Sequence, residues 1–461
     1  MKRSTQLLLV LFVVVLLAAC GGEAAPEEEV VDTVSTPLAI APETEEDPAE
    51  EEDATLPPPV VEAQPTPTLA PGAPGGEAEE PAAAPEEAPA EETGGAVFPW
   101  PEDRFGYGVQ IHGNATVGDP VATMEVVADQ LGLDWIKVQL KWPLVYPEPE
   151  AEQWFFYDGV LDEADKAGLN VMLSVVGAPE WTRALGGENG PPDDYTQYYT
   201  FLDELLARYA GRVHAIEVWN EQNLDREWKT NEGLVPADYV EFLRGAYDTI
   251  KAHDPNIIVI SGALSPTGFH DAVTSFDDFI YLDALLAAGM LDYTDCVGTH
   301  HNGYNVPPSA GVEDLMGLAE AQTASFRGPF GPPFDAAGNP HHSWSFRTTL
   351  EGYAEKVQAV DPDMRLCVTE FGWASSEGYE RPPDGFGFAT DNTLEEQAEY
   401  IVAAFQQMRN SGDVWLAFLF NFDFGNKGSG ILDDPVPYSI IDINGIPRPA
   451  FGAVAAMEKQ P

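Results

Sequence analysis

Basic residues are scarce in this chain: 22 Lys and Arg stand against 77 Asp and Glu, for a net charge of −55. So few cations argue against nucleic acid as a partner, because phosphate backbones reward Lys and Arg. They argue against anionic polysaccharides for the same reason. Cysteine is nearly absent, at three residues, and Cys20, Cys296 and Cys367 lack the spacing of a metal site. No Gly-rich turn of the dinucleotide-binding kind follows any strand-like run, and no cofactor is expected. Clustered His and Asp are missing from strand ends, which weighs against metal-dependent hydrolysis. The apolar run at 7–19 is too short for a comfortable membrane span.

That run follows Lys2 and Arg3 and ends in Leu17-Ala18-Ala19-Cys20. A basic start, a short apolar core and small residues before the break describe a secretory signal. The tetrapeptide resembles the bacterial lipobox. The resemblance implies that residues 1–19 are removed and that lipidated Cys20 holds the mature protein on a membrane surface outside the cytoplasm. Residues 20–96 follow as a linker, with no Lys, Arg or aromatic residue in 21–96. Too little apolar content is available there to offset the entropy of ordering, so the tract should be disordered and extended. It holds 21 acidic residues, which leaves 56 acidic against 20 basic in the remainder. Cys296 and Cys367 sit in apolar stretches. Export would permit a disulfide, but two separately buried thiols is the expectation.

From Val97 onward, strand-like runs fall at 105–112, 133–142, 169–176, 213–220, 257–262, 295–299, 364–370 and 414–421. Their β-branched, apolar character and bounding polar residues suit buried strands. Helix-like stretches follow at 121–131, 157–167, 195–209, 236–252, 279–288, 346–360, 394–408 and 450–457. Pro255 and Pro362 stop two of these by removing a backbone donor. Such alternation fits a doubly wound sheet or a closed barrel. Eight strands without a Gly-rich turn favour a single (β/α)8 barrel over 97–461. Its surplus length lies mainly at 302–344, a Gly-, Pro- and Phe-rich loop expected to cover the active face.

Two strands end in a carboxylate. The fourth runs through Ile216-Glu217-Val218 into Trp219-Asn220-Glu221, and the seventh through Cys367-Val368-Thr369 into Glu370-Phe371-Gly372-Trp373. In an eight-strand barrel these two strands face one another across the mouth, where such barrels keep their chemistry. Carboxylates about 5 Å apart suit double displacement, and roughly 6.5–9.5 Å suits inversion. Regular alternation would send Glu217, Trp219 and Glu221 to one face and Asn220 to the other. A bend or bulge at the strand's end is therefore expected if Asn220 and Glu221 share a site.

Asn220-Glu221 together with Thr369-Glu370-Phe371-Gly372 resembles the retaining glycoside hydrolases of clan A, over residues 105 to about 451. The resemblance implies a carbohydrate substrate, Glu221 as acid/base, Glu370 as nucleophile and Asn220 on the sugar 2-hydroxyl. It also implies a positioning role for His300 in Gly298-Thr299-His300, with Tyr304 nearby. Two positions depart from the family pattern. Lys137 stands where Arg commonly keeps the nucleophile ionised, and Phe420 or Trp415 where a Trp floors the sugar subsite.

Trp142, Trp181, Trp228, Trp344 and Trp373 fall at strand ends or in the long loop. As a group they suit stacking on sugar faces, with rim packing the competing reading for each. Trp142, Trp181 and Trp373 are taken as binding residues. Glu180 is a further carboxylate near the mouth, and Glu217 reads as a buried, paired structural group. His341 and His342 read as solvated, not as metal ligands. A non-catalytic carbohydrate-binding lipoprotein is the rival from another class, though binding alone needs no carboxylate pair. A transglycosylase would use the same residues. A monomer is expected.

Overall fold

The computed structural model describes residues 96–318 and 341–460. The leader, Cys20 and the linker lie outside them, as does much of the long loop. Eight parallel strands form one sheet: β1 (Gly106–Gln110), β2 (Trp135–Lys141), β3 (Asn170–Val176), β4 (Ala215–Val218), β5 (Ile258–Ser261), β6 (Val297–Gly303), β7 (Leu366–Trp373) and β8 (Val414–Leu419). Their order is β5-β4-β3-β2-β1-β8-β7-β6. The outermost strands meet through parallel bridges, Ile260 with Cys296 and Leu264 with Thr299, which bring the sheet round into a barrel.

A helix follows each strand: α1 (Pro120–Glu125), α2 (Phe155–Ala167), α3 (Thr196–Arg208), α4 (Pro236–His253), α5 (Asp278–Ala287), α6 (Phe346–Gln358), α7 (Leu394–Ser411) and α8 (Pro449–Ala456). Local chemistry sets their ends. Thr393 and Glu396 form a reciprocal capping box on α7, satisfying donors that the first turn leaves without partners. Gly168 ends α2 in the left-handed conformation at φ 69°, where a Cβ would be penalised. Among the described residues, no helix is long and apolar enough to cross a membrane.

Two apolar layers hold the barrel. Inside its lower half, Trp135, Met172, Ala215, Ile258, Leu416 and Phe418 fill the cavity. Gly108 on β1 makes room for them, since a Cβ there would lie 2.4 Å from the Phe418 ring. Outside, Val138, Leu173, Ile216 and Val368 alternate toward the helices and join the larger core. Each such side chain contributes roughly 1.5–3 kcal/mol on burial.

Two expectations fail here. Cys296 and Cys367 are joined by a disulfide, with Cα atoms 5.7 Å apart. Cys296 immediately precedes β6, and Cys367 lies on its partner β7, so the pairing brings together thiols separated by 71 residues. His341 and His342 are not solvated: they are partly buried and pair with Asp277 and Asp278 at the start of α5. The disulfide should contribute about 4 kcal/mol by constraining the unfolded chain. A non-reducing digest should yield one linked peptide pair containing Cys296 and Cys367. Reduction should lower the urea midpoint, and two alkylatable thiols in the unreduced, unfolded protein would contradict the bond.

Candidate active site

The mouth of the barrel is built around an irregular strand end. Regular pairing of β4 stops at Val218. Trp219 then takes φ 78° and Glu221 φ 44°, conformations costly for residues with a Cβ and sustained only where neighbours fix them. The fixing bonds are Trp219 N to Val175 O at 3.3 Å and Glu221 N to Ala263 O at 2.8 Å. A regular pleat would leave Trp219 beside Glu217 inside the barrel. Instead it packs outward against Trp228 and Phe242, and its Nε1 donates to Glu227 O at 2.9 Å. The expected break is present, and it brings Glu221 against His300 and Arg226 in the mouth. Asn220 is buried, and its Oδ1 has no hydrogen-bond partner among the described residues.

A second irregularity serves β7. The β6–β7 register shifts between Thr299 and His300, leaving His300 opposite Glu370. Consecutive residues of β7 then both point inward: Thr369 Oγ1 donates to Glu217 Oε1 at 2.6 Å, and Glu370 Oε1 accepts from Lys137 Nζ at 3.0 Å. Two inward neighbours are what a bulge permits and a flat strand does not. Lys137, fully buried on β2, also lies 3.2 Å from Glu217 Oε2. Burial disfavours its charge, but the Glu217 and Glu370 carboxylates outweigh that and raise its pKa. Glu217 likewise resists burial through Lys137 and His300 and is lowered. It is the buried, paired group that its position suggests.

His300 Nδ1 lies 3.2 Å from Glu221 Oε1 and 4.0 Å from Glu370 Oε2. Laid end to end, those distances cap the separation of the two oxygens at about 7 Å, which admits the ~5–5.5 Å of a nucleophile and acid/base pair. Burial lowers the His300 pKa, but the Glu370 charge and the Glu221 hydrogen bond more than restore it.

The other oxygen of Glu221 has a partner that the sequence did not suggest. Arg226 Nη2 sits 2.6 Å from Glu221 Oε2, with the arginine side chain half exposed. Burial works against the Glu221 carboxylate, yet Arg226 and His300 prevail and hold it down to about 2. Arg226 and His300 thus occupy its two oxygens and favour the carboxylate form. The neighbouring carboxyl behaves oppositely. Glu227, with its side chain 31% exposed, lies 4.0 Å from Arg226 Nε. Burial first, then the Glu221 charge, pushes it up to about 7. Gln139, Lys141, Glu188 and Asn189 line the same cleft. Arg226 and Glu227 lie only five and six residues beyond Glu221 on a loop without apolar periodicity, and that proximity was the one available signal.

The aromatic expectations divide. Trp142 is buried and stacked on Phe201 at 5.2 Å. Trp373 is fully buried against Phe346 and donates to Val306 O. Neither presents a free face, so both are core residues and not sugar platforms. Trp228 and Trp344 are buried as well. Trp181 is 39% exposed, its indole fixed to Tyr146 O, and it keeps a surface to offer. Phe420 is half-buried beside Tyr438 after β8, whereas Trp415 is buried under the barrel with Phe98. Tyr304 is buried against Phe388, and Glu180 is exposed.

No family model matches the chain, and no curated protein matches it. Solved structures do. A GH39 enzyme from Xanthomonas axonopodis pv. citri aligns with TM-score 0.50 at 19% identity, covering 78% of this chain and 67% of that one. A glucosidase from Croceicoccus marinus aligns with TM-score 0.52 at 14% identity, covering 77% and 67%. A beta-glycosidase aligns with TM-score 0.50 at 14% identity, covering 79% and 100%. At these identities the likeness is one of fold: the chain shares its (β/α)8 architecture with glycosidases.

Proposed function

We propose that the protein hydrolyses O-glycosidic bonds in oligo- or polysaccharides by a retaining double displacement. The observation that carries this reading is the convergence of Glu221 and Glu370 on His300, from strands on opposite sides of the mouth. Architectural likeness to proteins described as a glucosidase and a beta-glycosidase supports it. Glu370, held by the Lys137 ammonium, attacks the anomeric carbon as the bond to the leaving oxygen breaks. Glu221 gives that oxygen its proton. Water then enters, Glu221 takes a proton from it, and the Glu370 ester is cleaved with overall retention. Asn220 Oδ1 accepts a hydrogen bond from a sugar hydroxyl, and Trp181 and Phe420 offer apolar surface to sugar faces.

Glu221 must gain a proton before it can act, and Arg226 must leave it. Glu227 supplies both needs. The half-exposed arginine side chain turns from Glu221 to Glu227 as the leaving group enters, and the proton passes from Glu227 to Glu221. Net charge is unchanged by the exchange. The groups facing Glu227 are Glu221, Arg226, Glu370 and Lys141, with Glu188 across the cleft.

The leader and linker complete the reading: a lipidated Cys20 tethers the barrel outside the cytoplasm. A disulfide suits such an oxidising compartment. Labelling of cells with a tagged fatty acid should mark the wild type and not Cys20→Ala; equal labelling would remove the anchor.

Glu370→Ala and Glu221→Ala should each lower kcat for aryl glycosides by at least ~1,000-fold, since each removes a group acting on the reacting atoms. Azide should rescue Glu370→Ala with the inverted glycosyl azide and Glu221→Ala with the retained one. Full activity without Glu370 would end the assignment. Glu227→Gln should cut kcat/KM by about 100-fold for a poor leaving group that needs a proton. A dinitrophenyl glycoside, which needs none, should be unaffected; equal losses on both would refute the exchange.

Stability gives an independent reading. Glu227 binds its proton more tightly folded than unfolded. Its contribution is therefore complete below the ordinary carboxyl range near ~4.3 and lost as pH rises through about 7. Glu227→Gln should flatten that part of the urea-midpoint profile, and an unchanged slope would contradict the raised pKa.

A further inference from the structure

A second cluster of ionisable side chains lies where α5 begins. Asp277 and Asp278 stand at its N-terminus, and His341 and His342 enter from the end of the loop after β6. One ligand atom from each of the four residues can be chosen so that all lie within 4.8 Å of one another. His341 Nε2 is 3.2 Å from Asp277 Oδ2, and His342 Nε2 is 3.3 Å from Asp278 Oδ1. Bonds of 2.0–2.2 Å in a tetrahedral zinc site set neighbouring donor atoms roughly 3.3 Å apart. Both pairs have that edge length.

Each ligand is also held from behind. His341 Nδ1 meets Ser343 Oγ at 2.8 Å, and His342 Nδ1 meets Thr349 Oγ1 at 3.2 Å. Asp278 Oδ2 accepts from the Tyr353 hydroxyl at 2.6 Å, and Asp277 Oδ1 caps α5 through Ile280 N at 3.0 Å. The face of His342 is stacked on Phe279 with ring centroids 3.5 Å apart. Such outer contacts fix ring orientation in metal sites and leave both Nε2 atoms directed inward.

A pair of ordinary His–Asp hydrogen bonds is the simpler account, and His342 does not fit it. Its side chain is only 10% exposed, and its Nε2 has no hydrogen-bond partner among the described residues despite the nearby carboxylate. A buried ring nitrogen without such a bond is costly unless something else occupies its lone pair. Two carboxylates and two neutral imidazoles carry a charge of −2 together, which a divalent ion would balance. Mixed nitrogen and oxygen donors suit zinc-class ions better than calcium or magnesium, which prefer oxygen alone.

We propose that Asp277, Asp278, His341 and His342 bind one zinc-class divalent ion. Four protein ligands close the site to substrate, so its role is structural. The ion staples the end of the loop after β6 to the start of α5. This inference is independent of the carboxylate chemistry at the mouth.

The test uses the purified full-length chain, stripped by a chelator and titrated with Zn2+ alone. One tight equivalent should bind and raise Tm, and Co2+ should give the intense visible bands of a tetrahedral ion. His342→Gln and Asp278→Asn should each weaken Zn2+ binding by ~100-fold or more, beyond what loss of an outer-shell partner causes. Asp283→Asn, an exposed acid on the same helix, should bind as the wild type does. If circular dichroism shows that either ligand variant is unfolded, His341→Gln paired with Asp277→Asn, which keeps the helix-capping oxygen, replaces it. Absence of a tight equivalent, or wild-type affinity in the folded ligand variants, overturns the site.

Discussion

The interior of the barrel mouth depends on one buried cation. Lys137 bridges Glu217 and Glu370 at 3.2 and 3.0 Å, and none of the three could be charged there alone. Removing one partner of a buried ion pair typically costs 3–5 kcal/mol, because the remaining charge stays desolvated. The pairing therefore ties stability to chemistry. The lysine that satisfies the structural carboxylate on β4 also fixes the oxygen of the proposed nucleophile on β7. Lysine lacks the planar fork of arginine, but Thr369 and His300 supply the remaining contacts to the carboxylates.

A different balance operates at Glu221. Arg226 and His300 keep that group ionised, while Glu227 retains a proton close to neutrality. Divergent environments for neighbouring carboxyls are how a site separates acid and base roles. Here the separation is not between Glu221 and Glu370, the two carboxyls of the proposed catalytic pair. It lies between Glu221 and a third group beside it, with an exposed arginine between them.

Much of this was legible in the sequence because it follows from local pattern. Eight β-branched runs each followed by a helical period specified the barrel, and carboxylates ending the fourth and seventh runs located the mouth. Even the break in β4 followed from counting faces, since Asn220 and Glu221 could share a site in no other way. What was illegible depended on three-dimensional proximity. Cys296 and Cys367 are 71 residues apart in the chain, and nothing in either stretch reveals that β6 and β7 pair them. Trp142 and Trp373 looked like platforms because they end strands, but Phe201 and Phe346 cover them. His341 and His342 looked solvated until α5 brought two aspartates to them.

The central claim is that the Lys137-held carboxylate of Glu370 forms the covalent bond to sugar. The most direct measurement incubates the protein with 2-deoxy-2-fluoro aryl glycosides chosen from those it turns over, then locates the trapped sugar by peptide mass spectrometry. The account predicts a single label on Glu370, formed at wild-type rate in Glu227→Gln when the leaving group is dinitrophenolate. A label on Glu221 or Glu227, or turnover with inversion and no trapped sugar, would contradict it.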